Sequence, residues 1–250
     1  MGTPVAVGER DSDWYKALLP DGYEAYIHRT AFVAVDSAAM CRWREAERLI
    51  GVSPFETHIF AGPSDKCPTV SDFVMGCIVE GRKSAADDGF TAVRLPDGRC
   101  GWVRSDAVEP FGEWMKRRFD AERVISLAKA LTGSAYLWGG RSTKGVDCSG
   151  LTQLCFFDSG IMLPRNASQQ ALDGVAVSEP QAADLLFFDN DNGRITHVAV
   201  FDRQTLYIHS SGMVHMSSFD PRHPLYNGRK VHSLRRMTGC SRVADNPWFF

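Results

Sequence analysis

The sequence has little net charge, no long apolar run and no closely spaced pair of cysteines. Its 30 acidic and 28 basic residues give a formal net charge of −2, which offers no broad basic surface to nucleic acid or to an anionic membrane. No apolar run approaches the roughly 18 residues of a membrane span. The N-terminus, MGTPVAVGERDSDW, lacks the basic start and the apolar stretch of a secretion signal. We therefore expect no nucleic-acid partner and no membrane span.

The cysteines are too far apart along the chain for common metal or redox motifs. Seven are present, at positions 41, 67, 77, 100, 148, 155 and 240, and none forms a C-x-x-C pair. This spacing disfavours a zinc site or a thioredoxin-like dithiol. Because the number is odd, at least one thiol stays free in any fully paired monomer. With 44% hydrophobic residues, the 250-residue chain can bury a sizeable core and divide into two or three domains.

The chain contains one internal repeat. Residues 13–32 align without gaps with residues 89–108, and both copies carry Leu-Pro-Asp-Gly followed by an aromatic and a β-branched residue. Pro-Asp-Gly is typical of a turn, and the alternating apolar residues around it predict two short strands. Each copy therefore predicts a β-hairpin, and its repetition indicates small β-barrels.

The sequence pattern changes between these copies and again after Glu109-Pro110. The segment DSAAMCRWREAERLI is rich in helix-forming residues, and EWMKRRFDAERVISLAKALTG has apolar residues near the helical period. Further on, DLLFFD, ITHVAVFD and TLYIHSSG read as strands. A helical part followed by antiparallel strands predicts an α+β domain. We expect a shortened first barrel over 1–35, a helical linker over 36–50, a second barrel over 51–110 and the α+β domain over 111–250.

Cys148 lies at a predicted helix start in the stretch YLWGGRSTKGVDCSGLTQLCFF. Leu151, Leu154 and Cys155 recur at helical spacing, and Asp147 is a suitable N-terminal cap. Unpaired backbone N–H groups in the first helical turn favour an anion. We therefore expect the pKa of Cys148 to be lowered, so that a thiolate forms readily.

Two histidines are candidates to pair with this cysteine. His197 interrupts the apolar strand RITHVAVF, where a polar side chain is costly without a partner or a task. If residues 202–204 form the loop of a hairpin, His209 of LYIHSS lies directly opposite His197 on the same face. A loop of two or four residues would shift this register and separate the two histidines.

The residues around Cys148 also allow two other kinds of site to be considered against their chemistry. The segment GGRSTKG lacks the order of a phosphate-binding loop, and the carboxylate of Asp147 would repel phosphate. A zinc centre formed by Cys148, His197 and His209 is possible by residue type alone. The glycines and the capped cysteine suit covalent catalysis better, because a thiolate nucleophile needs a base and the base needs an orienting group.

These segments resemble a known enzyme family. YLWGGRSTKGVDCSGL, RITHVAVF and YIHSSG are similar to the three signature blocks of the NlpC-type cysteine peptidases of bacterial cell walls. The paired LPDG hairpins resemble the bacterial SH3-like barrels of the subgroup that cleaves γ-D-glutamyl-diamino acid bonds. The resemblance implies a papain-like fold with Cys148 as nucleophile, His197 as general acid/base and His209 as the orienting residue, without metal or cofactor.

The resemblance also implies a substrate site. Tyr136, Asp147 and Ser149 match positions that line the substrate pocket, which in that subgroup holds the free amine of an L-alanine next to γ-D-glutamate, with the first barrel closing one end of the cleft. Asn166 stands where the family often has aspartate, so the position keeps a hydrogen-bond acceptor and loses its negative charge.

The expected partner is therefore a peptidoglycan stem peptide or a murein fragment. An exported protein of the periplasm or cell envelope is expected, with the cytoplasm as the alternative. An amidase or acyltransferase on the same scaffold, or an inactive wall-binding protein, remains an alternative function.

Overall fold

The computed structural model describes residues 1–83, 89–190 and 192–250. The chain divides into two units, one formed by 1–116 with 244–250 and the other by 117–243. The second unit is shorter at both ends than the domain expected over 111–250, and the boundaries expected at 1–35, 36–50 and 51–110 stay predictions.

The first unit consists mainly of antiparallel strands. Its strands are β1 (Ala6–Asp11), β2 (Trp14–Leu18), β3 (Glu24–His28), β4 (Arg48–Gly51), β5 (Thr57–Phe60), β6 (Thr69–Phe73), β7 (Ile78–Gly81), β8 (Phe90–Arg94), β9 (Cys100–Arg104) and β10 (Val108–Pro110). Its helices are α1 (Ser37–Glu45) and α2 (Phe111–Trp114). Strands β1–β3 form one sheet, and the others form a seven-stranded sheet in the order β10-β4-β7-β8-β9-β5-β6.

Both copies of the repeat form the predicted hairpins. Strand β2 pairs with β3, and β8 pairs with β9, each pair being antiparallel. Ala17 faces Ala25 in the first hairpin, and the corresponding Val93 faces Gly101 in the second, so the two hairpins have the same register. The glycine of each Pro-Asp-Gly turn has a positive φ, which explains why glycine is needed there.

The helix expected over 36–50 is shorter than predicted. Helix α1 begins after Asp36, whose side chain accepts a hydrogen bond from the Ala39 N–H, and it ends at Glu45. The following residues form β4, which is buried along its whole length and pairs with β7 and β10. Burial of Leu49 and Ile50 in the sheet therefore overrides the local helix propensity.

The second unit has helices at its start and an antiparallel sheet after them. Its helices are α3 (Ala121–Ala130), α4 (Cys148–Asp158) and α5 (Ala167–Gln170). Its strands are β11 (Arg141–Ser142), β12 (Gly145–Val146), β13 (Val175–Ala176), β14 (Leu185–Asp189), β15 (Ile195–Arg203), β16 (Leu206–Ser211), β17 (Met213–Ser218) and β18 (Ser233–Arg236). The main sheet has the order β13-β18-β14-β15-β16-β17. The α+β arrangement expected from the sequence is confirmed.

Helix α4 is the central helix of this unit. It packs against β15 and β16 of the sheet and against α3. Leu151, Cys155 and Phe156 are fully buried, and Phe157 is the only residue of the helix that is partly exposed. With 11 residues α4 is the longest helix in the described ranges, and none of the helices described there is both long and apolar enough to cross a membrane.

Candidate active site

The start of α4 is held by Asp147. Its carboxylate accepts hydrogen bonds from the N–H of Gly150, at 2.7 Å, and from the N–H of Gly139, at 2.9 Å. The predicted cap is thus confirmed, and Cys148 is the first residue of the helix. Because one carboxylate binds both the glycine-rich loop and the helix, it fixes the backbone on either side of the cysteine.

Glycines allow the loop and the helix to touch through their backbones. A Cβ atom on Gly150 would lie 2.0 Å from the carbonyl oxygen of Gly140, and one on Gly140 would lie 2.5 Å from the carbonyl oxygen of Gly145. No side chain fits at these approaches without moving the backbone. This close packing explains the glycines on both sides of Cys148.

Cys148 is buried beside the central sheet, with 8% of its surface exposed. Burial raises the pKa of the Cys148 thiol, and the negative charge of Asp147 raises it further. Backbone N–H groups of Val198, Ser149 and Cys148 itself act in the opposite direction but are weaker in sum. The expectation of a lowered pKa is therefore wrong, because the sequence does not show how deeply the thiol is buried. At neutral pH the thiol needs a base to become nucleophilic.

His197 and His209 meet as predicted, though by a different register. His197 Nε2 lies 2.8 Å from His209 Nδ1. Val200 pairs with Ile208, which places Ala199, rather than His197, opposite His209. The two histidines are diagonal neighbours on the same face of the sheet, a distance that aromatic side chains can bridge. The expected direct opposition is wrong, and the expected contact is present.

The hydrogen-bond chain continues beyond His209. His209 Nε2 lies 3.0 Å from Ser217 Oγ on the neighbouring strand β17. Ser217 pairs with Tyr207 across β16 and β17, and the Tyr207 hydroxyl donates to Asn227 Oδ1 at 2.9 Å. Ser217 was not identified from the sequence, and only the pairing of β16 with β17, which places it opposite Tyr207, points to it.

This chain determines which nitrogen of His197 is left for a further partner. Since Nε2 of His197 is engaged with His209, Nδ1 is the nitrogen left for another partner. With its proton on Nε2, His209 can donate to Ser217 Oγ, and its Nδ1 is then a hydrogen-bond acceptor. The donor to this acceptor is Nε2 of His197, so the proton of His197 lies on Nε2. Nδ1 of His197 is then unprotonated, the state that a base for Cys148 requires.

Both histidines are neutral at physiological pH. Burial lowers the pKa of His197 to about 3, and the charges of Arg229 and His215 act in the same direction. Burial likewise lowers the pKa of His209 to about 3, with further lowering by His197, His215 and Arg229. Cys148 and His197 are therefore both neutral at rest, and a proton passes from the thiol to the imidazole only when charge separation is stabilised.

The lowered histidine pKa values predict that the protein loses stability in mild acid. Below about pH 6.5 the unfolded chain binds protons that the folded one does not bind until about pH 3, so stability falls as the pH drops through this window. Between pH 7.5 and pH 5 the loss amounts to about 2 kcal/mol per histidine. The free energy of unfolding, measured at both pH values, should fall less for His209→Asn than for the wild type.

The exposed His232 supplies the control for this measurement. His232→Asn should lose as much stability between pH 7.5 and pH 5 as the wild-type protein. An equal loss in His209→Asn would show that the buried histidine does not contribute to acid lability.

Asp147 forms a buried ion pair with Arg165. The guanidinium donates to both carboxylate oxygens, and it also donates to Ser149 Oγ at 2.9 Å. Burial by itself raises the pKa of Asp147, but the hydrogen bonds from Arg165, Gly150 and Gly139 outweigh it and lower the pKa overall. Arg165 was not assigned a role from the sequence, and its position 18 residues away gives no local signal.

A cleft of about 380 Å³ opens beside His197. Tyr136, Thr196, Ser210 and Arg229 line it together with His197. Burial raises the pKa of the Tyr136 hydroxyl, and the charges of Cys148 and Asp147 add to this effect. The expected residues Tyr136, Asp147, Cys148, Ser149 and His197 are therefore brought together.

Asn166 lies at the edge of this group. It is exposed, it precedes the short helix α5, and its N–H donates to Gln169 Oε1 at 3.0 Å. It is not among the residues that line the cleft beside His197. Its expected role in substrate binding stays a prediction.

The geometry does not favour the alternative zinc centre. The facing nitrogens of His197 and His209 hydrogen-bond to each other, so they do not both point to one central ion. In the described ranges, the side chains that could jointly hold a metal ion are Glu56, His58 and Asp72, which lie in the first unit.

Comparison with known proteins identifies the family. Residues 133–235 match the NlpC/P60 family. The chain is 31% identical over 243 residues to dipeptidyl-peptidase 6 of Lysinibacillus sphaericus, covering 90% of this chain and 84% of that protein. It is 25% identical over 240 residues to γ-D-glutamyl-L-lysine dipeptidyl-peptidase of Bacillus cereus, covering 86% of this chain and 65% of that protein.

A solved structure confirms the fold. The crystal structure of an NlpC/P60 family protein from Bacillus cereus matches 95% of this chain and 80% of its own, with a TM-score of 0.78 and 24% identity. The expected papain-like fold is thereby confirmed, and the N-terminal sheets are consistent with SH3-like domains. Given the identity to a relative over most of both chains, this protein belongs to the NlpC/P60 family and is a cysteine peptidase that acts on peptidoglycan.

Proposed function

We propose that the protein is an endopeptidase that hydrolyses the γ-D-glutamyl–diamino acid bond of peptidoglycan stem peptides, with Cys148 as nucleophile. The observation that carries the proposal is the hydrogen-bond chain from Ser217 through His209 to His197, next to a buried thiol at a helix start. A chain of this kind orients one imidazole nitrogen toward a nucleophile and supports its positive charge.

The reaction begins with proton transfer from the Cys148 thiol to Nδ1 of His197. The thiolate attacks the carbonyl carbon of the γ-glutamyl amide, and the carbonyl oxygen becomes an oxyanion near the N–H groups at the start of α4. His197 returns the proton to the leaving amine, the C–N bond breaks, and a thioester remains on Cys148. Water, deprotonated by His197, then releases the glutamyl carboxylate and restores the thiol.

His209 acts through His197 in this scheme. The interaction between His209 Nδ1 and His197 Nε2 favours the tautomer that leaves Nδ1 available to the thiol. Because His209 is itself neutral, it contributes orientation and dipolar stabilisation of the imidazolium that forms during turnover.

The substrate assignment rests on the relatives and on the acceptors near the thiol. One relative is named a γ-D-glutamyl-L-lysine dipeptidyl-peptidase. The hydroxyl of Tyr136 and the carboxylate of Asp147 are acceptors suited to the free amine of an N-terminal L-alanine. Asp147 already forms an ion pair with Arg165, so its carboxylate attracts an ammonium less strongly than an unpaired carboxylate would. We propose an exported location at the cell envelope, where peptidoglycan lies.

A pair of substrates tests both parts of the proposal. The protein is incubated with L-Ala-γ-D-Glu-diaminopimelate with its N-terminal amine free and, in parallel, acetylated. Mass spectrometry should show L-Ala-D-Glu and free diaminopimelate, and the acetylated peptide should be cleaved at least about tenfold more slowly, because acetylation removes the charge.

The products distinguish the proposed activity from its alternatives. Release of acetate from the acetylated peptide with the γ-glutamyl bond intact, or transfer of the γ-glutamyl group to an added amine without hydrolysis, would replace the endopeptidase assignment with an amidase or an acyltransferase. Equal cleavage of the two peptides would support the endopeptidase and contradict the free-amine preference.

A further inference from the structure

Arg229 is a charged residue of the cleft that the proposed reaction leaves without a task. It is half-buried, lies in the segment that follows β17, and lines the cleft together with His197, Thr196 and Ser210. Its backbone N–H donates to Asn227 Oδ1 at 3.2 Å, which anchors the chain at this point. Asn227 Oδ1 in turn accepts a hydrogen bond from the hydroxyl of Tyr207, the residue opposite Ser217 on the neighbouring strand.

The side chain of Arg229 lacks a carboxylate partner among the described residues. Three other partly buried or buried arginines of this unit pair with buried aspartates: Arg117 with Asp158, Arg165 with Asp147 and Arg236 with Asp184. In the part of the chain described, no carboxylate lies within ion-pair distance of the Arg229 guanidinium, which lines the cleft. Such a guanidinium is suited to bind an anion that enters the cleft from solution.

The positive charge of Arg229 lowers the pKa of neighbouring groups, including the proposed base His197. It lowers the pKa of His197, where it is the largest influence after burial, and it also lowers those of His209 and Tyr207. A fixed positive charge opposes the imidazolium that must form on His197 during turnover. An anion bound to Arg229 would offset that charge and make proton transfer from Cys148 easier.

The position of Arg229 indicates which part of the substrate it meets. His197 delivers a proton to the leaving amine, so the residue that leaves is adjacent to His197 when the bond breaks. The cleft lined by Thr196, Ser210 and Arg229 opens at this same histidine. Substituents of the leaving residue therefore come within reach of the guanidinium.

We propose that Arg229 binds a carboxylate of the residue on the leaving side of the scissile bond, and that this contact both holds the substrate and promotes formation of the imidazolium on His197. The inference rests on the proposed endopeptidase function. Two carboxylates of a stem tripeptide have this chemistry, namely the C-terminal α-carboxylate and the side-chain carboxylate of diaminopimelate.

Three peptides separate these sources. L-Ala-γ-D-Glu-diaminopimelate carries both carboxylates on its leaving residue, L-Ala-γ-D-Glu-L-Lys carries the α-carboxylate alone, and L-Ala-γ-D-Glu-L-lysinamide carries neither. For Arg229→Gln, we expect kcat/KM to fall at least about tenfold on the carboxylate-bearing peptides, chiefly through a raised KM, and not to fall on the lysinamide, where the substitution removes a charge that nothing in the substrate offsets. Arg229→Lys should recover part of the loss, because it restores the charge without the planar fork.

The pattern of the loss identifies the carboxylate. A loss confined to the diaminopimelate peptide assigns the contact to the side-chain carboxylate, and an equal loss on the diaminopimelate and lysine peptides assigns it to the α-carboxylate. Arg222→Gln is the matched control, because Arg222 is an exposed arginine of the same segment that pairs with Asp220. Its kinetics should equal those of the wild type on all three peptides.

The inference and the proposed function fail in different ways. An equal change, or no change, on all three peptides in Arg229→Gln would overturn the role of Arg229 while leaving the endopeptidase assignment intact. Failure of the wild-type protein to cleave any of the three at the γ-glutamyl bond would overturn the proposed function itself.

Discussion

Replacement of Cys148 by alanine should abolish hydrolysis of the stem peptide and leave the fold unchanged. The substitution removes the single atom that is proposed to form the acyl bond, and the neighbouring hydroxyl of Ser149 is held in hydrogen bonds with Asp147 and Arg165. Loss of a nucleophile of this kind lowers kcat on the order of 10⁴-fold or more. The measurement is the release of diaminopimelate from L-Ala-γ-D-Glu-diaminopimelate, with circular dichroism and thermal unfolding as tests of the fold.

Cys155 provides a matched control on the same helix. It is fully buried, and burial raises its pKa strongly, so it is an inert thiol in the interior. Cys155→Ala should retain turnover while losing some stability through the space it leaves. Full activity in Cys148→Ala, or complete loss in Cys155→Ala, would contradict the assignment of the nucleophile.

Features that depend on neighbouring residues were predictable from the sequence. The two Leu-Pro-Asp-Gly turns specify hairpins because proline and glycine set the backbone angles locally, and both hairpins form in one register. The helix start at Cys148 was predictable for the same reason, since Asp147 caps the backbone three residues further on. The contact of His197 with His209 was predictable because side chains of a strand alternate between its two faces. A change of register by two residues leaves both histidines on the same face.

The register itself was not predictable, because it depends on a distant contact. Strands β15 and β16 are irregular between Phe201 and Arg203, and this irregularity moves the pairing away from a regular three-residue loop. Asp202 lies at this point, buried and paired with Lys129 of α3 at 2.9 Å. Nothing in the local sequence of the hairpin indicates that a lysine more than seventy positions earlier takes part.

The electrostatics of the site were not predictable for a related reason. The helix start does lower the pKa of Cys148 through its N–H groups, as expected, but burial by the sheet is the larger effect and raises the pKa overall. Burial is a property of the packed unit and not of the segment around the cysteine. Ser217 and Arg165 were missed likewise, since each reaches the site from a separate element.

Replacement of Arg165 by methionine should strongly destabilise the second unit. Arg165 and Asp147 are both more than nine-tenths buried, and the guanidinium contacts both oxygens of the carboxylate. Methionine keeps most of the volume but leaves a buried carboxylate without its counter-charge. Breaking a buried pair in this way costs about 3–5 kcal/mol. The free energy of unfolding, obtained from urea denaturation monitored by circular dichroism, should fall by that amount.

Two further variants show whether the lost counter-charge is the cause. Arg222→Met breaks a solvent-screened pair with Asp220 at the surface and should leave the free energy of unfolding nearly unchanged. The double variant Asp147→Asn with Arg165→Met removes the unpaired charge and should be more stable than Arg165→Met alone, because the amide oxygen still accepts the N–H groups of Gly139 and Gly150. If the double variant were the less stable of the two, the carboxylate would be tolerated without Arg165, and the cap rather than the ion pair would hold the loop against the helix that carries Cys148.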